Sequence, residues 1–217
     1  MDDSNKLTRL QSDFLVAWFE RSGDFFLTGG GALSGFYGLP RTTQDIDLFT
    51  VGHEAFERVA DLVHDCCHAL CLTSVALVTS PHFRRYRIQR QDEATLVDFV
   101  EDLAPQVFPE KVTRSDGVRI DPMEEIAVNK VCAIVSRSEP RDFFDLHFLA
   151  GRGLDPDVAL ELANRKDGGV NAESMVMILQ SIDWERFQVP GLEVRETARF
   201  FQGWLDRLTL RLLPDAH

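Results

Sequence analysis

The sequence predicts an α+β chain, with a mixed sheet in residues 1–120 and a helical half in residues 121–217. Three observations predict it. Strand-like runs bounded by turn residues crowd the region between Phe25 and Ile120. After Asp121-Pro122 the apolar spacing turns helical and stays so. No long linker separates the two regions, so the halves are expected to pack closely, with a ligand cleft between them.

The elements follow in order. Residues 6–20 repeat apolar side chains at Leu10, Phe14 and Trp18, a helical spacing. Phe25 to Thr28 reads as a short buried strand that runs into a turn at Gly29-Gly30-Gly31. Ala32 to Tyr37 reads as a short helix closed by Gly38 and Pro40. A strand is predicted from Asp45 to Val51, then one long amphipathic helix over 53–71. Three strands follow at 73–79, 83–90 and 94–100, and an extended segment at 107–120 turns at Asp116-Gly117. In the second half, Pro140 opens a helix through RDFFDLHFLAG, and Asp155-Pro156 opens another that ends at Asp167-Gly168-Gly169. A last helix is predicted over roughly 193–211.

Composition excludes several classes. The chain has 217 residues, 44% of them hydrophobic, which describes a soluble globular protein. No stretch approaches the ~20 apolar residues of a membrane span. The opening MDDSNKLTRLQSD is polar and does not read as a secretory signal. Four cysteines without disulfide-like spacing point to a reducing cytoplasm. A net charge of -12 argues against a general nucleic-acid coat, though not against a local basic surface.

The chemistry concentrates in residues 28–48, TGGGALSGFYGLPRTTQDIDL. Asp45 and Asp47 lie two apart on a strand, so their carboxylates share a face and repel. A divalent metal relieves that repulsion, and the nearby glycine turn and helix N-terminus suit a phosphate. Each piece alone is commonplace: Asp-x-Asp occurs on solvated strand edges, and Gly-Gly is often only a turn. In this order, one helix apart, they point to chemistry on a nucleoside triphosphate.

The arrangement resembles the polymerase-β-like nucleotidyltransferase superfamily. The fuller pattern GG-x-AL, then R-x-T-x-DIDLF, is similar to the AbiEii/AbiGii toxin family, the MenT-like effectors of type IV-like toxin–antitoxin systems. A second segment, EEIAVNKVCAIVSRSEPRDFFDLHFL at 124–149, carries the family's Lys, Arg and Arg-Asp-x-x-Asp-Leu run as Lys130, Arg137, Arg141, Asp142, Asp145 and Leu146. The resemblance covers roughly residues 25–150. It implies a nucleotidyltransferase core completed by a helical subdomain. It also implies Mg²⁺ or Mn²⁺ held by Asp45, Asp47 and a third carboxylate from a later strand, for which Asp98 in LVDFV is the candidate. Two such ions about 3.5–4 Å apart stabilise both the attacking oxygen and the leaving pyrophosphate of an in-line displacement.

Further roles follow from the resemblance. Gly29 and Gly30 admit the phosphates; since Gly30 stands where many relatives have Ser, a hydroxyl contact falls to Thr28 or Ser34. Arg41 and Thr43 orient the triphosphate. Lys130 is either a lysine snorkelling from a helix face or a point charge on the triphosphate; the resemblance favours the second. Asp142 and Asp145, three apart on one helix side, either position the nucleotide or pair with Arg137 or Arg141; Asp145 is the favoured essential acid.

Two further clusters stand out. HFRRYRIQR at 82–90 sets Arg85 and Arg87 on one strand face and Arg84 and Arg90 on the other. It is either a charge-balancing edge strand or an RNA- or pyrophosphate-tracking surface through Arg84, Arg85 and Arg87. His64, Cys67, His68 and Cys71 recur at helical spacing, but one straight helix seldom wraps a zinc ion, so core cysteines are the better reading. The activity that the resemblance implies is transfer of a nucleoside monophosphate from an NTP to RNA, with the tRNA 3′ end as the expected acceptor and translation blocked. A separately encoded antitoxin and no membrane partner are implied. The alternatives are a small-molecule, antibiotic-modifying adenylyltransferase and a catalytically inactive nucleotide-binding module.

Overall fold

The computed structural model describes residues 6–213. The first five residues of the polar opening and of the first expected domain, and the last four of the second, lie outside the described residues. The chain divides into two compact units between Pro122 and Met123.

The first unit runs α1 (Arg9–Phe19), β1 (Phe26–Thr28), α2 (Gly29–Phe36), β2 (Asp45–Thr50), α3 (His53–Glu57), α4 (Val59–Leu70), β3 (Thr73–Thr79), β4 (Phe83–Arg90), β5 (Glu93–Glu101), β6 (Val112–Thr113) and β7 (Arg119–Ile120). The strands form one mixed sheet in the order β3-β4-β5-β2-β1-β7-β6. β2 lies between β1, antiparallel to it, and β5, parallel to it. The parallel pairing requires a crossover, which α3, α4 and the β3-β4 hairpin supply.

Alternation along β2 and β5 divides the sheet into two faces. Ile46, Leu48, Val97 and Phe99 are fully buried on one face. There Trp18 of α1 packs edge-on to Phe25, at 5.1 Å between ring centroids, and against Phe99 at 4.6 Å. A capping box starts α1: Thr8 Oγ1 accepts from the Gln11 backbone N–H, and Gln11 Oε1 accepts from that of Thr8. The opposite face carries Asp45, Asp47 and Asp98.

Three local expectations change. Gly29-Gly30-Gly31 is the first turn of α2, not a turn preceding it. The helix expected over 53–71 is two helices, broken at Arg58, whose N–H bonds to the Ala55 carbonyl in a tightened last turn. The basic run is also not an edge strand: β4 is interior, and the edge is β3. β3 is exposed along its length and irregular between Ala76 and Val78, a bulge of the kind that discourages edge pairing.

The second unit comprises α5 (Met123–Arg137), α6 (Pro140–Gly151), α7 (Pro156–Lys166), α8 (Ala172–Ser181) and α9 (Arg195–Leu212). Pro140 and Pro156 occupy first-turn positions, where a missing N–H costs nothing. The sequence reading did not separate α8, which opens at an Asn171–Ser174 capping box. Phe143, Trp184, Phe187 and Phe201 form an aromatic core, with Phe143 edge-on to the other three. Among the described residues no helix is long and apolar enough to cross a membrane.

Candidate active site

The site is built outward from β2. Its alternation sends Ile46 and Leu48 into the core and leaves Asp45 and Asp47 together on the other face, both half-buried. In register, Asp47 has Thr28 of β1 on one side and Asp98 of β5 on the other. Adjacent strands lie about 4.8 Å apart, so the third acid stands beside the first two. Asp98 is a long-range neighbour, 51 positions along the chain from Asp47.

The glycines fit this face closely. Gly29 has φ +60°, and a β-carbon there would lie 2.8 Å from Asp47 Oδ2. At Gly30 a β-carbon would lie 2.6 Å from Arg41 Nη2. The N-terminus of α2 therefore lies against Asp47 and Arg41, where its unpaired N–H groups favour negative charge. Thr28, the residue preceding that helix, has a buried Oγ1 without a hydrogen-bond partner among the described residues, and so does Ser34.

The loop before β2 is held from behind. Thr43 Oγ1 donates to Asp45 Oδ1 at 2.9 Å and lies 3.0 Å from the Asp45 carbonyl. Gln11, fully buried on α1, donates through Nε2 to the Thr43 carbonyl at 3.1 Å and to Thr95 Oγ1 at 3.0 Å. Thr95 Oγ1 in turn donates to the Gln44 carbonyl at 3.1 Å. Gln11 and Thr95 thus position the segment that aims Asp45, and the sequence reading missed both. The Thr8-x-x-Gln11 capping pattern was visible, but nothing local reports where the amide's other end reaches. Lys111 and Asp121 were also missed. They form a buried pair at 2.6 Å, with the ammonium 4.0 Å from the Phe26 ring centroid.

The basic run separates by face. Arg85, directly opposite Asp98, binds it with a two-pronged grip: Nε to Oδ1 at 2.7 Å and Nη2 to Oδ2 at 2.6 Å. That hydrogen bond, with the charges of Asp98, Asp45 and Asp47, raises the Arg85 pKa further. Arg87 follows on the same face and is exposed. Arg84 turns the other way, over the Phe56 ring at 4.7 Å and onto Glu57 at 3.1 Å. It does not join the other two, because a two-residue period puts neighbours on opposite faces.

In the helical unit, α5 and α6 bring Lys130, Arg137, Asp142 and Asp145 together. Lys130 Nζ lies 2.7 Å from Asp142 Oδ1 and 2.8 Å from Asp145 Oδ2, and both carboxylates are fully buried. Arg137 closes the other side of Asp142 through Nε at 2.7 Å and Nη2 at 3.0 Å. Burial pushes Lys130 down, but Asp145 and Asp142 together carry it above its ordinary value. Burial likewise pushes Asp142 up, and Lys130 and Arg137 more than reverse it. Arg141 lies 4.0 Å from Glu139. Of the cysteines, Cys66 and Cys67 are buried on α4, burial pushing the Cys66 thiol up to about 11, while Cys71 is the exposed C-cap.

Asp45 and Asp47 fit a hard divalent cation. They are oxygen donors on one face, beside a helix start that only glycine can form so close to them. Among the described residues no three acidic, imidazole or thiol side chains converge as a ready ion site. Both oxygens of Asp98 accept from the Arg85 guanidinium. The face can hold a cation and an anionic group together: paired acids at its centre, helix N–H groups at one side and arginines at the other.

Across residues 13–206 the chain matches the family model described as nucleotidyl transferase AbiEii toxin, type IV TA system. Its fold is similar to that of JHP933 from Helicobacter pylori, with a TM-score of 0.61 at 23% identity over 94% of this chain and 90% of that one. It is also similar to MenT4, a nucleotidyltransferase toxin from Mycobacterium tuberculosis H37Rv, with a TM-score of 0.64 at 14% identity over 95% of this chain and 83% of that one. No curated protein matches the chain in sequence.

Proposed function

The chain belongs to the AbiEii nucleotidyl transferase toxin family, and from that premise we propose that it transfers a nucleoside monophosphate from an NTP to an RNA acceptor, the tRNA 3′ end being the leading candidate. The observation that carries this reading is the register that sets Asp98 beside Asp47 on the face Asp45 shares, with the glycine start of α2 against Asp47. In the transfer, an acceptor hydroxyl oxygen bonds to the α-phosphorus, the bond to the β-phosphate bridge breaks, and pyrophosphate and a proton leave.

Asp45 and Asp47 would hold Mg²⁺ or Mn²⁺. When bound, the metal neutralises charge on the attacking and leaving oxygens. The chain's own groups do the positioning. Thr43 orients Asp45. The first N–H groups of α2 are placed to receive phosphate oxygens, and the Thr28 hydroxyl supplies the contact that Gly30 lacks. Arg41 steadies the triphosphate, and Arg87 presents positive charge to the acceptor backbone. Lys130 and Asp145 are assigned to the reaction on the family pattern.

Capping the acceptor end of tRNA would stop translation. The toxin therefore implies a cognate antitoxin and a cytoplasmic site of action. The test incubates the protein with Mg²⁺, total RNA and each labelled NTP in turn. We expect one RNA size class to be labelled, and Asp45→Asn to reduce labelling by about 10³-fold, the scale of losing transition-state charge stabilisation. Absence of label from all RNA with every nucleotide defeats the RNA reading. Label on an aminoglycoside instead would make the protein an antibiotic-modifying enzyme.

A further inference from the structure

Arg85 and Arg84 are adjacent in sequence and opposite in circumstance. Arg84 has a side chain only 12% exposed, laid on Phe56 and tied to Glu57. The Arg85 side chain is 36% exposed, while the Asp98 it grips is 7% exposed. The guanidinium, 5.6 Å from the centroid of the Phe83 ring, therefore covers the carboxylate from the solvent side on a flexible, part-exposed stem. A fork of two charge-assisted bonds, at 2.7 and 2.6 Å, takes one lone-pair position on each Asp98 oxygen. Those are oxygens a hard cation would need, so guanidinium and metal compete for one acid.

We propose that Arg85 is a resident counter-ion of this site: it neutralises Asp98 while no cation is bound, and it must swing toward solvent before Asp98 can join Asp45 and Asp47 in holding a metal. The inference rests on the reading of Asp45 and Asp47 as metal ligands. The competition lowers the affinity of the nucleotide-free protein for bare metal ions. The displaced fork stays on the carboxylate face beside Arg87, where its geometry suits a phosphate group. Arg85 is thus a positioning residue, acting through Asp98.

The test measures Mn²⁺ binding directly, by calorimetry and by the loss of the free-ion electron spin resonance signal, with no nucleotide present. Arg85→Gln is expected to bind Mn²⁺ about tenfold more tightly than wild type, the release of one charge-assisted fork discounted for its exposure. Asp98→Asn should weaken binding. Arg85→Gln combined with Asp98→Asn should match Asp98→Asn within about twofold, because Arg85 acts only through that acid. Unchanged or weaker binding by Arg85→Gln overturns the proposal and leaves the metal reading standing. If Asp45→Asn binds Mn²⁺ as well as wild type, the metal reading itself falls and this inference with it. Should Arg85→Gln fail to fold by circular dichroism, Arg85→Ala removes both charge and fork, and an affinity no tighter than wild type is equally fatal.

Discussion

Replacing Lys130 by Met tests how the helical unit tolerates its buried charges. The lysine side chain is 8% exposed, and its two partners, Asp142 and Asp145, are fully buried at 2.7 and 2.8 Å. Met fills similar volume, so the substitution removes charge and hydrogen bonds without opening a cavity. It leaves two carboxylates three residues apart on α6 without the ammonium between them. Breaking one side of a buried ion pair costs about 3–5 kcal/mol. Arg137 still holds Asp142 through two hydrogen bonds, so the lower end applies, about 3 kcal/mol at pH 7. The pH dependence has a definite sign. Asp142 is held below its ordinary value in the folded wild type, so its stabilisation is present above the unfolded carboxyl pKa and is lost as pH falls through the folded one. The variant lacks part of that term, so the gap between the two proteins should hold from pH 7 down to about pH 4, the ordinary carboxyl value, and narrow below it. Urea unfolding followed at 222 nm measures both. Adding Asp145→Asn should restore more than half of the loss. A cost under about 1 kcal/mol, or no recovery in the double variant, would refute the reasoning.

Other consequences can be checked in parallel. Gly29→Ala meets both a φ of +60° and Asp47 Oδ2 at 2.8 Å; it should lower stability by about 1–2 kcal/mol and nearly abolish transfer. Gly30→Ala meets only the far end of Arg41, so thermal melts should show it far milder. Gln11→Leu strands the Thr43 carbonyl and loosens the loop that aims Asp45. We expect a loss of about 1–3 kcal/mol in chemical denaturation and a raised KM for the NTP, whereas unchanged kinetics would make Gln11 a purely structural brace. Glu101 is held below its ordinary value by hydrogen bonds from His82 and His53, and the Glu101 bond raises His53. The stabilisation from Glu101 is lost as pH falls through its lowered value, and that from His53 as pH rises through its raised one. The melting-temperature difference between wild type and Glu101→Gln should therefore peak between pH ~4.5 and ~6.5, the interval between the ordinary carboxyl and imidazole values, and fade on both sides; a flat difference would remove the pair from the account.

The legible features were those with a short period or a local chemical signature. The Asp45-Ile46-Asp47 alternation settled which side chains share a face, because strand geometry repeats every two residues. Pro140, Asp155-Pro156 and Asp116-Gly117 announced helix starts and a turn through fixed dihedrals. The same two-residue period already separated Arg84 from Arg85 and Arg87. The misread elements failed for local reasons too. Arg58 carries no Gly or Pro to mark the break between α3 and α4, and three glycines look like a turn unless the close approach to Asp47 and Arg41 is known.

What the chain could not disclose locally was adjacency. Nothing near Asp98 says that β5 lies beside β2, or that Asp98 faces Asp47 rather than its neighbour two residues away. Strand order and register follow from burying Trp18, Phe25, Phe99, Ile46 and Val97 together, a sum over contacts far apart in sequence. The same holds for Arg85 across from Asp98 and for Gln11 reaching Thr43 and Thr95. Residue types and their periods, present in the sequence alone, thus determined which side chains share a face, and the motifs carried the resemblance to the family. Only the folded sheet decided that the third acid carries its own counter-ion, because a charge buried beside two others needs a partner and long-range pairing supplies it.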